Sequence, residues 1–367
     1  MLLSGEKVKK IFKNLDEQVD AIIIKNSSDP FIDSNFFYAT GLKQGLFEGC
    51  AAVLYPDGKI NLIVSQLESE SAHKSSFDVK TYKNGEEHRR LLSGALNNSS
   101  KIGLNFSSIN HKDFVVFRDS FPNKNFVDVS NAFLKSRAIK DKDEINLILE
   151  AIDIAESVMN KIPGLVKEGM KEFELAAEIN YLMHKYGADK TAFDTISSFG
   201  ANSSQPHYTQ GNTVLKPGDF VLCDFGACYH KYNSDISRTF AFKEVSEKQR
   251  RMHEVVCNAQ KIAFEEIKPG IKGKEVHLAV EEYINKTEFA GCFIHGLGHS
   301  LGIDVHDGYV GFSPLSEIEL LENMVLTVEP GIYIPGFGGV RIEDDILVTS
   351  DGCKILSKSN RDLIQIS

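Results

Sequence analysis

Two stretches of the chain, EGMKEFELAAEIN (168–180) and PGIKGKEVHLAVEEY (269–283), repeat one pattern: a glycine, a lysine two residues on, then a helix-like run. Each follows a longer amphipathic segment. Each precedes strand-like sequence, at 191–223 in the first case and 323–349 in the second. A helix–helix–strand unit used twice leaves a cleft between its halves, and clefts are where ligands bind.

The helices of this region are readable from their periodicity. Ile145, Leu149, Ile152, Ala155 and Met159 recur at helical spacing up to Pro163-Gly164, and a second helix is expected from 171 to 186 with Leu175, Ile179 and Leu182 on one side. Ser246 and Gln249 form a capping-box start for a third helix running through Ile267, and 274–284 is a fourth. Upstream, 20–26, 49–65 and 101–106 read as strands, the second broken by a Pro-Asp-Gly turn, with helices near 5–18 and 85–97. The polar stretch SRAIKDKDEI (136–145) reads as a connection. At 367 residues the chain has room for two domains. The expected class is a two-domain α/β protein, with a smaller domain over 1–135 and a larger one over 136–367.

Composition excludes several functions. Net charge is -10, and no Lys/Arg-rich run provides the basic patch of a general nucleic-acid binder. The six cysteines are scattered without a close CxxC pair, which argues for reduced core residues and against a zinc knuckle or redox motif. No stretch reaches 18 uncharged apolar residues, and the first ten residues lack the apolar run of a secretory signal. The expected location is the cytoplasm, with no membrane partner.

Chemistry concentrates in a few stretches. DFVLCDFGACYHKYNSDISRTFAF (219–242) reads as a hairpin of two apolar strands carrying Asp224 and Asp235. A simple register centred between Tyr229 and His230 would place the two carboxylates opposite each other, where like charges destabilise a sheet. Buried carboxylates must be paired, protonated or metal-bound. FIHGLGHSLGIDVHDG (293–308) adds His295, His299 and His306. Glu329 ends an apolar strand before Pro330-Gly331, Glu343 lies in another strand two residues after Arg341, and His207 sits in a loop. Two Asp, two Glu and one His suit Mn²⁺, Co²⁺, Fe²⁺ or Zn²⁺. Four carboxylates exceed the need of one ion and suit two, about 3.5–4 Å apart.

Taken in order, DFGA…SDISRT, HGLGHSLGIDVHD, VEPGIY and RIED, with FDTI…PH upstream, resemble the motif series of the creatinase/methionine-aminopeptidase superfamily of metallopeptidases, and among them the proline-specific members. FFYATGL (36–42) is similar to a signature of the creatinase-type N-terminal domain. The resemblance implies a small creatinase-type α/β domain followed by a pita-bread catalytic domain with a pseudo-two-fold. It implies Asp224 as bidentate ligand of one metal, Asp235 and Glu343 as bridging ligands, and His299 and Glu329 as ligands of the second metal. Glu329 is also the implied proton shuttle. His207 and His306 would contact substrate, with His295 auxiliary to them. Arg341 would orient a ligand carboxylate, or form a salt bridge that offsets excess negative charge. Phe193, Ile196 and Val305 would receive a proline ring. The implied reaction is hydrolysis of an N-terminal Xaa-Pro bond by two divalent ions, Mn²⁺ foremost, with a bridging hydroxide, in a homodimer. The alternatives on the same fold are methionine aminopeptidase-type or creatinase-like amide hydrolysis. Thr239 is a candidate hydrogen-bond partner for a ligand carboxylate.

Overall fold

A computed structural model describes residues 4–209 and 211–367. The chain forms two compact units, Met1–Arg137 and Ala138–Ser367.

The first unit is built on a six-stranded mixed sheet. Its centre is Ala21–Lys25, antiparallel to Ala51–Leu54 on one side and parallel to Lys101–Leu104 on the other. Ala51–Leu54 folds back onto Ile60–Ser65 through the expected turn, where Gly58 takes a φ of 91° that a side chain would resist. Strands Asp78–Tyr82 and Asn125–Asp128 form the two edges. Neither was evident from the sequence, because both are half exposed and carry no run of apolar residues. The stretch FFYATGL lies in the short helix Ser34–Thr40, capped by Asp33 and closed by Gly41 in the left-handed conformation.

The polar 136–145 stretch is not an open connection. A helix, Ser130–Ala138, occupies its start, and the next helix, Lys142–Met159, begins within it. Asp141 accepts from the amides of Asp143 and Glu144, and Glu144 reciprocates to the Asp141 amide. The charged residues that read as linker are therefore a helix cap. Pro163-Gly164 likewise does not mark a simple stop: after Met159 the chain makes a further helical turn, Ile162–Leu165, with proline near its start, where a missing N–H costs nothing.

The second unit bears out the repeat. Helices Lys142–Met159 and Glu172–Lys185 pack with strands Ile196–Phe199, Phe220–Phe225 and Ile236–Phe242 around one core. Helices Glu247–Glu266 and Gly273–Asn285 pack with Val325–Val328, Gly338–Arg341 and Asp344–Val348 around another. The repeated segments match in detail. Gly169 and Gly270 both have positive φ, at 81° and 87°. The amides of Lys171 and Lys272 donate to Glu174 and Glu275, at 2.8 and 2.9 Å. Each lysine also forms an isolated β-bridge, to Val214 and Glu319 respectively.

Register in the aspartate hairpin differs from the simple expectation. Asp224 pairs with Ser237, not Asp235, and the turn falls at His230-Lys231, one residue further along. Both turn residues have positive φ, 49° and 75°, the geometry of a two-residue turn that matches strand twist. Neither is the Asn or Gly that usually announces it, so the turn was hidden. Shifting the turn takes the two carboxylates out of direct opposition. Asp235 sits instead where the ladder breaks beside Gly226, whose missing Cβ would stand 1.9 Å from the Ser234 carbonyl oxygen.

Candidate metal centre

The hairpin and the second-half strands converge on one cleft of about 710 Å³. Twelve of the thirteen residues singled out from the sequence line it, all but Thr239: Phe193, Ile196, His207, Asp224, Asp235, His295, His299, Val305, His306, Glu329, Arg341 and Glu343. Ligand-type atoms of Asp235, His299 and Glu343 lie within 4.8 Å of one another. His299 Nε2 is 3.6 Å from Asp235 and 3.7 Å from Glu329. Glu329 stands at the end of its strand with its amide bonded to the Leu297 carbonyl, which ties the glutamate to the histidine segment.

Three of the four carboxylate residues are held from the opposite half, while Glu329 is tied within its own. Asp224, from the first half, takes a hydrogen bond from Arg341 Nη2 of the second. Glu343, from the second, accepts from Ser237 Oγ of the first at 2.7 Å, and its amide donates to the Ser237 carbonyl. The Asp235 amide donates to Asp345 Oδ2 at 3.1 Å. Arg341 also donates to Ser237 Oγ (3.0 Å) and to the Tyr333 hydroxyl (2.8 Å). That hydroxyl in turn meets His295 Nε2 at 2.9 Å. Among the described residues, Asp224 Oδ1 and Asp235 Oδ1 are buried without a hydrogen-bond partner. An oxygen-rich donor set with two orphaned, buried carboxylate oxygens fits a divalent cation.

Family models match both units of the chain. The description "Metallopeptidase family M24" matches residues 146–350, and "Creatinase/Prolidase N-terminal domain" matches residues 6–139. The chain belongs to metallopeptidase family M24. Xaa-Pro dipeptidase of Pyrococcus horikoshii is 38% identical over 368 residues, spanning 99% of this chain and 100% of its own. Two solved structures are alike throughout. Xaa-Pro dipeptidase from Bacillus anthracis has a TM-score of 0.90 at 30% identity, covering 99% of both chains. X-Pro aminopeptidase from Thermotoga maritima has a TM-score of 0.88 at 30% identity, covering 95% of this chain and 98% of its own.

In this M24 metallopeptidase the electrostatics of the cleft follow from burial. Asp235 is pushed well above the usual aspartate range by burial, then by Glu343, Asp224, Asp345 and Glu329. Glu343 is pushed up by burial, then by Glu329 and Asp224. Burial drives Glu329 up to about 8, against the pull of Arg341. His299 falls to about 4 through burial and the neighbouring His306, whose ring centre is 4.1 Å away. Carboxylates that would keep protons and an imidazole that stays neutral are together the protonation pattern that a cation reverses and exploits.

Thr239 does not bond a ligand carboxylate. Its hydroxyl exchanges two 3.1 Å hydrogen bonds with the backbone of Arg341, fastening the strand that carries the arginine. Arg238 reaches the Glu343 and Ser237 carbonyls, Asp344 and the tail carbonyls of Ser359 and Asn360. Ser237, Tyr333 and Asp345 support the cluster without having been singled out. Ser237 was concealed by the register, since only the true pairing puts it across from Asp224. Tyr333 and Asp345 stand inside the VEPGIY and RIEDD stretches, but a short motif does not tell which of its side chains turns toward a ligand.

Among the described residues no helix is long and apolar enough to cross a membrane.

Proposed function

We propose that the chain hydrolyses the bond between an N-terminal residue and proline in dipeptides or short peptides, using two divalent ions, with Mn²⁺ the first choice. The observation that carries the reading is the convergence of four carboxylates and His299 on one cleft, with two buried aspartate oxygens left unpaired. Asp224, Asp235, Glu329, Glu343 and His299 would hold the metal. When bound, the ions supply Lewis-acid polarisation of the scissile carbonyl and acidify the attacking water.

The remaining steps fall to the chain's own groups. Glu329, a carboxylate beside the cluster, would take a proton from water and return it to the leaving nitrogen. In a prolyl peptide that nitrogen is tertiary and leaves as a secondary amine, so its protonation matters. His207 and His306 face the cleft and oppose the charge that develops on the carbonyl oxygen. His295, brought to about 4 by burial and by Arg341, is neutral at pH 7 and serves to hold the Tyr333 hydroxyl. Phe193, Ile196 and Val305 give the proline ring an apolar wall. A homodimer in the cytoplasm completes the reading. The relatives quoted above include a dipeptidase and an aminopeptidase at equal identity, so both substrate lengths belong in the test.

The test compares Ala-Pro with Ala-Pro-Ala after chelation, with Mn²⁺, Co²⁺ or Zn²⁺ added back. Metal-dependent release of alanine from either peptide is expected. Cleavage of the dipeptide alone assigns a dipeptidase, cleavage of the tripeptide an aminopeptidase. No metal-dependent cleavage of either would overturn the reading.

A further inference from the structure

His207 is exposed, on a loop between the 3-10 turn Gly200–Ser204 and the strand at Phe220–Phe225, yet it must stand at a fixed place in the cleft to act on substrate. What fixes it lies outside the cleft. Glu172, the first residue of the helix Glu172–Lys185, is fully buried and is not among the cleft-lining residues. Its carboxylate receives four hydrogen bonds, two on each oxygen. Oε1 accepts from the Phe199 amide and from Asn202 Nδ2, both at 2.9 Å. Oε2 accepts from the Tyr208 hydroxyl at 2.8 Å and from the Gly211 amide at 3.1 Å. Asn202 Nδ2 also reaches the Tyr208 hydroxyl and Thr213 Oγ1, each at 2.8 Å.

The four donors bracket the loop at both ends, and Tyr208 is the neighbour of His207. Gly211 is built for the arrangement: a Cβ there would stand 2.7 Å from the Tyr208 hydroxyl and 3.4 Å from Glu172 Oε2. The far side of the loop is tied to the arginine strand, since the Gly339 amide donates to Ser203 Oγ at 2.8 Å. A buried carboxylate with no cationic partner among these contacts is costly unless its hydrogen bonds are complete. Here they are complete, and they come from the last residue of the strand Ile196–Phe199 and from the loop that follows it.

Taking His207 as the substrate-facing histidine of the Xaa-Pro reading, we propose that Glu172 is a positioning residue whose carboxylate sets the 199–211 loop and so places His207 in the cleft. A neutral amide at this position would turn an NH₂ toward two donors, opening one end of the loop. The helix and the metal ligands would be untouched.

A double-mutant cycle tests this. Glu172→Gln should lower kcat/KM for a prolyl peptide roughly ten- to hundredfold while metal content stays at the wild-type value. In a His207→Ala background the same change should cost less than about threefold, because the residue it positions is gone. Amide exchange within 199–213 should rise in Glu172→Gln, and that readout holds whatever the substrate proves to be. Equal losses in both backgrounds, or unchanged loop protection, would overturn the proposal. If Glu172→Gln does not fold, Tyr208→Phe removes a single donor and follows the same logic: a smaller loss that vanishes without His207 supports the proposal, and one that persists refutes it. A wild-type chain inactive on every prolyl peptide would count against the function instead, leaving the exchange measurement to decide the loop.

Discussion

The two halves of the second unit share a frame and divide the chemistry unequally. Both start from a positive-φ glycine, a lysine in an isolated β-bridge and a glutamate that caps the lysine amide. Both then bring two of the candidate ligand carboxylates to the cleft. The first half uses aspartates on a tight hairpin, and the second uses glutamates and adds His299. The orphaned oxygens named above belong to the aspartates alone. Glu329 and His299 are tied within their own half, through the Leu297 carbonyl and the Thr327 hydroxyl, but the other three candidate ligands are supported from across the cleft. Arg341 holds Asp224, Ser237 holds Glu343, and Asp345 holds the Asp235 amide. A duplicated fold thus becomes a single site by exchanging supports across its pseudo-symmetry, so that Asp224, Asp235 and Glu343 depend on both halves.

Breaking the site within either half should have the largest effect. Asp235→Asn and Glu343→Gln should each abolish metal retention and peptidase activity while far-UV circular dichroism stays native, because each removes charge that a cation needs. Retained activity in either variant would remove that residue from the ligand set.

Breaking the exchange between halves should cost less. Arg341→Met strips Asp224 of its cross-half partner, and activity is expected to fall roughly ten- to hundredfold with weakened metal affinity. Ser237→Ala, which deletes a neutral hydroxyl from Glu343, should cost roughly tenfold or less. Metal titration of the two variants ranks them, and a Ser237 effect larger than the Arg341 effect would reverse the order argued here.

The smallest effect concerns acid stability and sharpens the contrast between the helix pairs. The long second-half helix buries His253, which burial lowers from 6.5 to about 4, whereas Lys142–Met159 contains no histidine. The unfolded chain therefore binds a proton that the folded one refuses. Stability is complete above pH 6.5 and declines as pH falls toward 4, by about 3 kcal/mol at most from this residue. His253→Gln should flatten the fall in apparent Tm across that window. An unchanged slope would mean that other groups carry it.

Much of this was legible in the sequence, for identifiable reasons. Helix positions followed from periodicity: Leu175, Ile179 and Leu182 are all buried, as their spacing requires. In the first helix the stripe is offset, with Ile148 and Ala151 fully buried where Ile145 and Leu149 are only partly so, because both faces carry apolar residues. The cleft residues were legible because buried carboxylates and clustered histidines are too costly to be incidental. What remained hidden was relational. A His-Lys turn gives no signal in composition, so the hairpin register and Ser237 went unseen. Glu172 looks like an ordinary helix-start acid until the loop it holds is placed around it.

The dinuclear site is tested most directly by metal content compared between wild type and Asp235→Asn after dialysis against Mn²⁺. The expected result is two ions per wild-type chain, their loss from the variant, and Xaa-Pro hydrolysis that disappears with them. A variant that keeps both ions and full activity, or a wild type that hydrolyses the peptide with none, would contradict it.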